Sequence, residues 1–281
     1  MTNAPDAYPE ITSLLVSKIM ADNARRGAKP TAMGTRMRYS DAGRCLKQRA
    51  FKAYGYEPTN PMDPPGHWVT WLGEQVHKAL QAVLVDTYGE LVSIEHASQI
   101  DGLDCSGSSD ATFFFPASKR VYELKTMGEY KFDSSVGVNR LARRSQEPKG
   151  PGASSKLQGA LNALAQDADL LTIAHLSFSA FSKQLSEDIG VTDLDRFMAE
   201  WTYEREEWEP WALEETGRMA GLLVDIDNGY LPVPMAVNDD FSVSKLNPNI
   251  QNPKWNCVYC DYFDLCKTTP NTRVQIERKE S

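Results

Sequence analysis

The sequence predicts an α/β fold built around one large core. Three observations carry this. Apolar residues recur at helical spacing from about His67 to Tyr88, three short strand candidates follow in quick order between Leu91 and Met127, and a helix–strand pair occupies Lys156 to Phe181. At 281 residues and 41% hydrophobic, the chain can bury one such core, or one core with a small appendage. Neither an internal repeat nor a boundary between two large domains is visible.

A helix is expected over roughly Pro9–Arg26, followed by a Gly/Pro-containing linker. Ser40 is a plausible N-cap for a second helical stretch carrying Cys45, Arg49, Phe51 and Tyr54. The Pro-rich segment 58–65 reads as a turn or loop. In the long helix Trp71, Val76, Leu80, Leu84 and Val85 mark the apolar stripe. Leu91–Ile100 alternates moderately, Gly107–Phe115 ends in an aromatic run, and Arg120–Met127 is short and bounded by turn residues. Gly128–Ser155 is polar and basic and reads as a long loop, which is usually functional or disordered. A helix at Lys156–Gln166, strands at Leu170–Phe181 and Arg196–Tyr203, and a helix ending at Gly229 with Pro232 beyond complete the series.

The net charge of −8 argues against a uniformly basic nucleic-acid binder, but its distribution is uneven. Between Lys18 and Lys52 ten Lys/Arg face two acids, a local balance of +8; between Glu187 and Asp240 fifteen acids face three arginines, a balance of −12. Polarised charge suits a polyanion bound on one side, or two solvated faces. No apolar run is long enough to span a membrane, and the N-terminus lacks a signal-peptide pattern. A cytoplasmic location is therefore expected, where clustered cysteines more often bind metal than pair.

Two groups of residues carry chemistry. Cys257, Cys260 and Cys266 form a C-x2-C-x5-C run, and Cys45 lies more than two hundred residues earlier. Four such thiols can tie the two ends of the chain together around zinc or an iron–sulfur cluster. Cys105 reads as a buried core thiol. In the second group, Glu123 and Lys125 flank Leu124 on a strand and so point to one face. An antiparallel hairpin would bring Asp110 beside Glu123, and two close carboxylates call for a cation such as Mg²⁺ or Mn²⁺. Lys125 beside a metal-bound water could orient or deprotonate it. The same pattern also fits a surface strand with a salt bridge. His77 (GEQVH) precedes the sheet and Gln158 (KLQGAL) follows the basic segment, so the order is H…D…ExK…Q. Trp68 and Trp71 read either as core aromatics or as base-stacking groups.

The order and local sequence resemble the PD-(D/E)xK nuclease superfamily, specifically its RecB-like exonuclease branch. SDAGRCLKQRAFKAYGY, with Ser40, Cys45 and Arg49, is similar to that branch's first-cysteine motif; GEQVH, GSSD and YELKT are similar to its histidine, aspartate and ExK motifs. The four cysteines are like those of its iron–sulfur members, among them the CRISPR-associated RecB-like exonucleases, the AddB nuclease domain and related phage exonucleases. The resemblance covers residues 39–268, leaving 1–38 as an N-terminal helix and linker and 269–281 as a polar tail.

The resemblance implies a restriction-endonuclease-like core, a mixed central sheet flanked by helices, with an iron–sulfur-bound region joining the N- and C-terminal segments. It implies a 4Fe-4S cluster on Cys45, Cys257, Cys260 and Cys266, and Mg²⁺ or Mn²⁺ on His77, Asp110, Glu123 and the Leu124 carbonyl. Lys125, Glu123, Asp110 and Gln158 would be catalytic. Arg140, Arg143, Arg144 and Lys149, with the basic 18–52 segment, would contact DNA phosphates. The implied activity is hydrolysis of single-stranded or frayed DNA ends, 5′→3′, leaving 5′-phosphates, in recombination, repair or phage/CRISPR processing. If the chain were phage-encoded, the compartment would be the host cytoplasm. No GxxxxGK[ST] run is present, so unwinding would need a helicase partner; a recombinase or CRISPR-adaptation protein is the other expected partner. A non-catalytic DNA-binding adaptor on the same fold is the alternative, and a zinc-stabilised nucleic-acid binder a third. One position departs from the family: Asn162 stands where a tyrosine is usual, four residues after Gln158.

Overall fold

The computed structural model describes residues 16–22, 33–139, 142, 144–180, 185, 187–188, 197–233, 257, 260–270 and 272–276. In chain order the main elements are β1 (Met37–Arg38), α1 (Leu46–Ala53), α2 (Pro64–Tyr88), β2 (Val92–Gln99), β3 (Cys105–Phe115), β4 (Ser118–Met127) and α3 (Glu129–Val136). They are followed by β5 (Val138–Asn139), β6 (Arg144–Ser145), α4 (Ala153–Ala165), β7 (Leu170–Ser177), β8 (Met198–Glu204), α5 (Arg205–Asp227), β9 (Tyr230–Leu231), α6 (Phe263–Thr268) and β10 (Val274–Gln275).

The central sheet is mixed and six-stranded: β3, β4, β7 and β8 lie side by side, with β1 and β2 both against β3. β2–β3, β3–β4 and β7–β8 are antiparallel, whereas β4–β7 and β1–β3 are parallel. The alternation along β4 divides its side chains between two layers. Tyr122 and Leu124 pack with Ala111, Phe113 and Ala174 beneath Leu80 and Leu84 of α2. Val121, Leu171 and Ile173 pack on the other face with Ala160 and Ala163 of α4 and Trp208 and Ala212 of α5. A mixed sheet between helices is the coarse architecture the sequence implies.

The two ends of the chain meet in a third core. Met37, Tyr39, Phe51 and Cys105 pack there with Met219, Leu222 and Tyr262, and Cys260, Leu265 and Cys266 pack against them. Asn60 stitches the same junction, donating its backbone N–H to Asp261 O at 2.8 Å and its side-chain amide to Asp264 at 2.9 Å. Burial pushes the Cys105 thiol up to about 12, as befits an inert core thiol.

Two expectations shift. The helix expected from Ser40 begins at Leu46, because residues 39–41 form a separate 3-10 turn. The segment 128–155, read as a loop, contains α3 and the β5–β6 pair. Phe132, on the inner side of α3, is fully buried, and Gly137, at φ 78°, ends that helix in the left-handed conformation that glycine adopts freely. Of the helix expected over roughly Pro9–Arg26, residues 16–22 are helical and the remainder lies outside the described residues.

Candidate active site

Asp110 sits where the pairing of β3 fails on both sides. The β2–β3 register runs from Val92–Phe113 to Gln99–Ser106 and omits only Glu95–Asp110. The β3–β4 ladder runs from Phe115–Ser118 to Ala111–Tyr122 and stops one pair short of Asp110 and Glu123. β1 joins β3 only at Cys105 and Ser106, so residues 107–110 face a gap between β1 and β4. Glu123 and Lys125 stay paired with β7, opposite Ile173 and His175. At the gap, the Leu124 amide donates to Asp110 Oδ2 at 2.7 Å in place of a ladder bond. The carboxylate is thereby fixed at the seam of the two strands.

The five residues of the H…D…ExK…Q series come together at this seam. His77 Nδ1, from α2, lies 3.0 Å from Asp110 Oδ1. Lys125 Nζ donates to Glu123 Oε1 at 2.6 Å and to Gln158 Oε1, from α4, at 2.9 Å. Helix α4 can come this near because residue 159 is glycine: a Cβ there would stand 2.9 Å from Leu171 Cδ1 and 3.6 Å from Glu123 Cβ. Asn162, one turn beyond Gln158, is fully buried; its amide donates to Ser108 O at 3.2 Å and approaches Glu123 Oε2 at 3.4 Å. The Asn162 side chain therefore lies against the Glu123 carboxylate from the α4 side.

Burial dominates the electrostatics. Glu123 is 1% exposed, and desolvation pushes its carboxyl up to about 7, against the opposing pull of Lys125 and with a further push from Asp110. For His77, burial works against the imidazolium, but the hydrogen bond and charge of Asp110 more than offset it and raise the pKa. His175 is 3% exposed with neither ring nitrogen hydrogen-bonded; burial, then the Lys125 charge, brings it down to about 4 and keeps it neutral.

The Glu123 shift has a sign that can be measured. Its folded pKa exceeds the unfolded value of about 4.3, so in metal-free protein its contribution is full at low pH and is lost as pH rises through about 7. In chelator, Glu123→Gln should gain melting temperature relative to wild type as pH goes from about 5 to about 8. A difference that does not vary with pH over that span would contradict the assignment.

The donor set suits a hard divalent cation. Two carboxylates and a backbone carbonyl supply oxygen and the His77 imidazole one nitrogen, a mostly oxygen donor set, and a second cation beside Lys125 would further favour the ionised form of the buried Glu123. In the structure these carboxylates are satisfied by protein donors, and among the described residues no three His, Cys, Asp or Glu side chains, the cysteines included, stand close enough together to hold a metal ion.

The thiols of Cys45, Cys257, Cys260 and Cys266 form no disulfide and are half-buried. They are electrostatic neighbours: after burial, the charges of Cys45 and Cys257 help to raise Cys260, and Cys45 helps to raise Cys266. Lys47 lies beside them, fully buried, its ammonium donating to Pro270 O at 2.6 Å. Among the described residues no carboxylate lies in salt-bridge range of Lys47; burial lowers its pKa, and the ionisable groups that oppose this are Cys266 and Cys45. A buried cation facing thiols suits a thiolate-bound soft-metal centre, so the donor chemistry fits an iron–sulfur cluster or zinc.

The expected phosphate-binding face needs correction at its N-terminal part. Lys47 is buried and Arg49 is 4% exposed in an ion pair with Glu215 at 3.0 Å. Arg36 is held by Asp104 and by Asp227, the latter at 2.6 Å. Lys47 and Arg49 are committed within the fold and do not form a phosphate-binding surface, whereas Arg36, ion-paired to both acids, stays exposed. Arg144 and Lys149 are exposed, whereas Arg140 and Arg143 lie outside the described residues. Trp68 and Trp71 stack at 5.4 Å, and Trp68 is 41% exposed, so the pair is not core. Sequence reasoning missed Gln81, Glu95 and His175. Only the position of His175, level with Lys125 in a neighbouring strand, could have signalled it.

No family model and no curated protein matches the chain. Among solved structures, it is similar to the crystal structure of SSO0001, at 16% identity and a TM-score of 0.49 over 93% of this chain and 97% of that one. It is also similar to the alkaline exonuclease LHK-Exo from Laribacter hongkongensis, at 10% identity and a TM-score of 0.42 over 65% of this chain and 77% of that one. A phage-related exonuclease from Haemophilus somnus 129PT aligns at 14% identity with a TM-score of 0.41, over 64% of this chain and 78% of that one.

Proposed function

We propose that the chain is a metal-dependent DNA exonuclease whose centre is the seam between β3 and β4. The observation that carries this reading is the meeting of His77, Asp110, Glu123, Lys125 and Gln158 where the strand ladder opens, with the Glu123 carboxylate buried between Asp110 and Lys125. Mg²⁺ or Mn²⁺ would be held by His77, Asp110, Glu123 and the carbonyl oxygen of Leu124. When bound, such an ion lowers the pKa of water and neutralises charge on a phosphodiester.

The chain's own residues supply the remaining functions. Lys125 Nζ, steered by Glu123 and Gln158, is placed to orient the attacking water and to stabilise negative charge developing on phosphorus. Gln158 fixes that ammonium, and Asn162 lies against Glu123 from the α4 side. Leu124 N–H and His77 hold the two oxygens of Asp110 in one orientation. Exposed Arg144 and Lys149 would contact DNA phosphates.

The finer features rest on the sequence resemblance. They are single-stranded or frayed ends as substrate, 5′→3′ polarity, a 5′-phosphate product, and a role in recombination, repair or phage/CRISPR processing beside a helicase, recombinase or adaptation protein. Cys45, Cys257, Cys260 and Cys266 would hold a 4Fe-4S cluster that clamps α1 to the C-terminal segment. A cytoplasmic location belongs to the same reading. Among the described residues no helix is long and apolar enough to cross a membrane.

The test uses linear single-stranded, linear duplex and closed circular DNA, with Mg²⁺ or Mn²⁺ and with chelator. Shortening of the linear strands alone, stopped by chelator, is expected. Binding of linear DNA with no shortening in either metal would instead support the non-catalytic adaptor.

A further inference from the structure

Asp110 lies opposite Glu95 in the β2–β3 register, yet this is the one pair the ladder omits. Glu95 occupies φ 50°, a left-handed conformation inside a strand that a residue with a Cβ adopts only at a cost. Side chains stand in for the missing backbone pairing. Gln81, one helical turn beyond His77 on α2, donates Nε2 to the Asp110 carbonyl at 3.3 Å and to Glu95 Oε1 at 2.8 Å. Glu95 Oε2 accepts from Ser108 Oγ at 3.0 Å, so the exposed glutamate is tied to β3 on one side of Asp110 and to α2 on the other.

This arrangement has a direct geometric consequence. The neighbouring pairs Ile94–Ala111 and His96–Ser109 are kept, so only at Asp110 is the backbone released from β2. There the carbonyl of Asp110 turns to α2, the helix that also supplies His77, while its carboxylate turns to Leu124 N–H. His77 and Gln81 thus grip the two ends of one residue, from adjacent turns of one helix face. Local strain held by surrounding bonds at one residue is characteristic of a position where geometry matters more than stability.

We propose that Gln81 and Glu95 are positioning residues: together they hold the Asp110 backbone out of the β2–β3 ladder so that its carboxylate faces the cation site. The inference rests on the proposed reading of Asp110 as a metal ligand. Neither residue belongs to the proposed set of metal ligands or catalytic groups. Their effect runs through Asp110, as outer partners of a metal ligand act on affinity and orientation.

The test is a calorimetric titration of Mn²⁺ into the full chain, with thermal melts as a check on folding, for wild type, Gln81→Met, Glu95→Ala and Glu95→Gln. Gln81→Met keeps the side-chain length and removes the amide; Mn²⁺ should bind on the order of 10- to 100-fold more weakly, with kcat falling while KM for DNA stays unchanged. Glu95→Ala should weaken binding similarly. Glu95→Gln, which can still accept from Gln81 and bond Ser108, should recover most of the lost affinity. Wild-type affinity in folded Gln81→Met and Glu95→Ala would overturn the inference and leave the proposed centre standing. Failure of the wild-type chain to take up Mn²⁺ would overturn the reading of Asp110 and the inference with it.

Discussion

Replacing Lys125 with alanine is expected to lower the rate of DNA cleavage by about 10²- to 10³-fold, the usual cost of removing one donor aimed at developing charge. Lys125 is placed for such a loss because its ammonium is held from two sides, by Glu123 at 2.6 Å and by Gln158 at 2.9 Å. The substitution also takes the nearest cation from a buried carboxylate, so the Glu123 carboxyl should rise further above about 7 in metal-free protein. Affinity for DNA should change little, since contact with phosphates is assigned to other residues. Single-turnover rates at saturating metal separate these effects. A loss below about tenfold would remove Lys125 from the chemistry.

The largest expected effect on stability lies at Glu215. It is fully buried in α5, accepts from Arg49 at 3.0 Å and from the Gly43 amide at 3.2 Å, and also bonds Arg218. Glu215→Ala leaves the Arg49 guanidinium, 4% exposed, without its carboxylate. Breaking a buried pair in this way costs about 3–5 kcal/mol, or a fall in melting temperature on the order of 10 °C for a chain of this size. The double variant Arg49→Met with Glu215→Leu should recover most of that loss, because it removes both charges together. A single variant that melts within about 2 °C of wild type would contradict this account. Arg49 follows Cys45 by one turn of α1, so the pair also anchors the helix that would present the first cluster ligand.

The residues that were legible in the sequence are those whose spacing is fixed by backbone geometry. Glu123 and Lys125 share a face because strands alternate, and Asp110 meets them because β3 and β4 form a hairpin. His77 and Gln158 were found by their order in the chain, and the structure places both within hydrogen-bond reach of this group. The helix α3 was hidden in a segment rich in Gly, Ser and charge, though Gly137 at its end and Phe132 on its inner side were available as signals.

Other features had no local signature. A count of positive charge between Lys18 and Lys52 treats each residue as solvated, whereas Lys47 and Arg49 are buried through contacts made more than 160 residues away. The left-handed backbone at Glu95 accompanies side-chain bonds to Gln81 and Ser108, and glutamate carries no preference for that conformation. His175 looks like any residue of a buried strand until β7 is set beside β4, which brings it level with Lys125. Asn162 was visible only as a departure from the family pattern, and its burial against Glu123 gives that departure a physical role.

The most direct measurement follows end-labelled single-stranded DNA with protein purified without oxygen, in Mn²⁺, for wild type and Glu123→Gln. The account predicts metal-dependent release of the 5′ label as short products by wild type and none by Glu123→Gln, while both proteins bind the strand. Binding by both with no release from either end, in protein that keeps the broad visible absorbance of iron–sulfur thiolates, would contradict it.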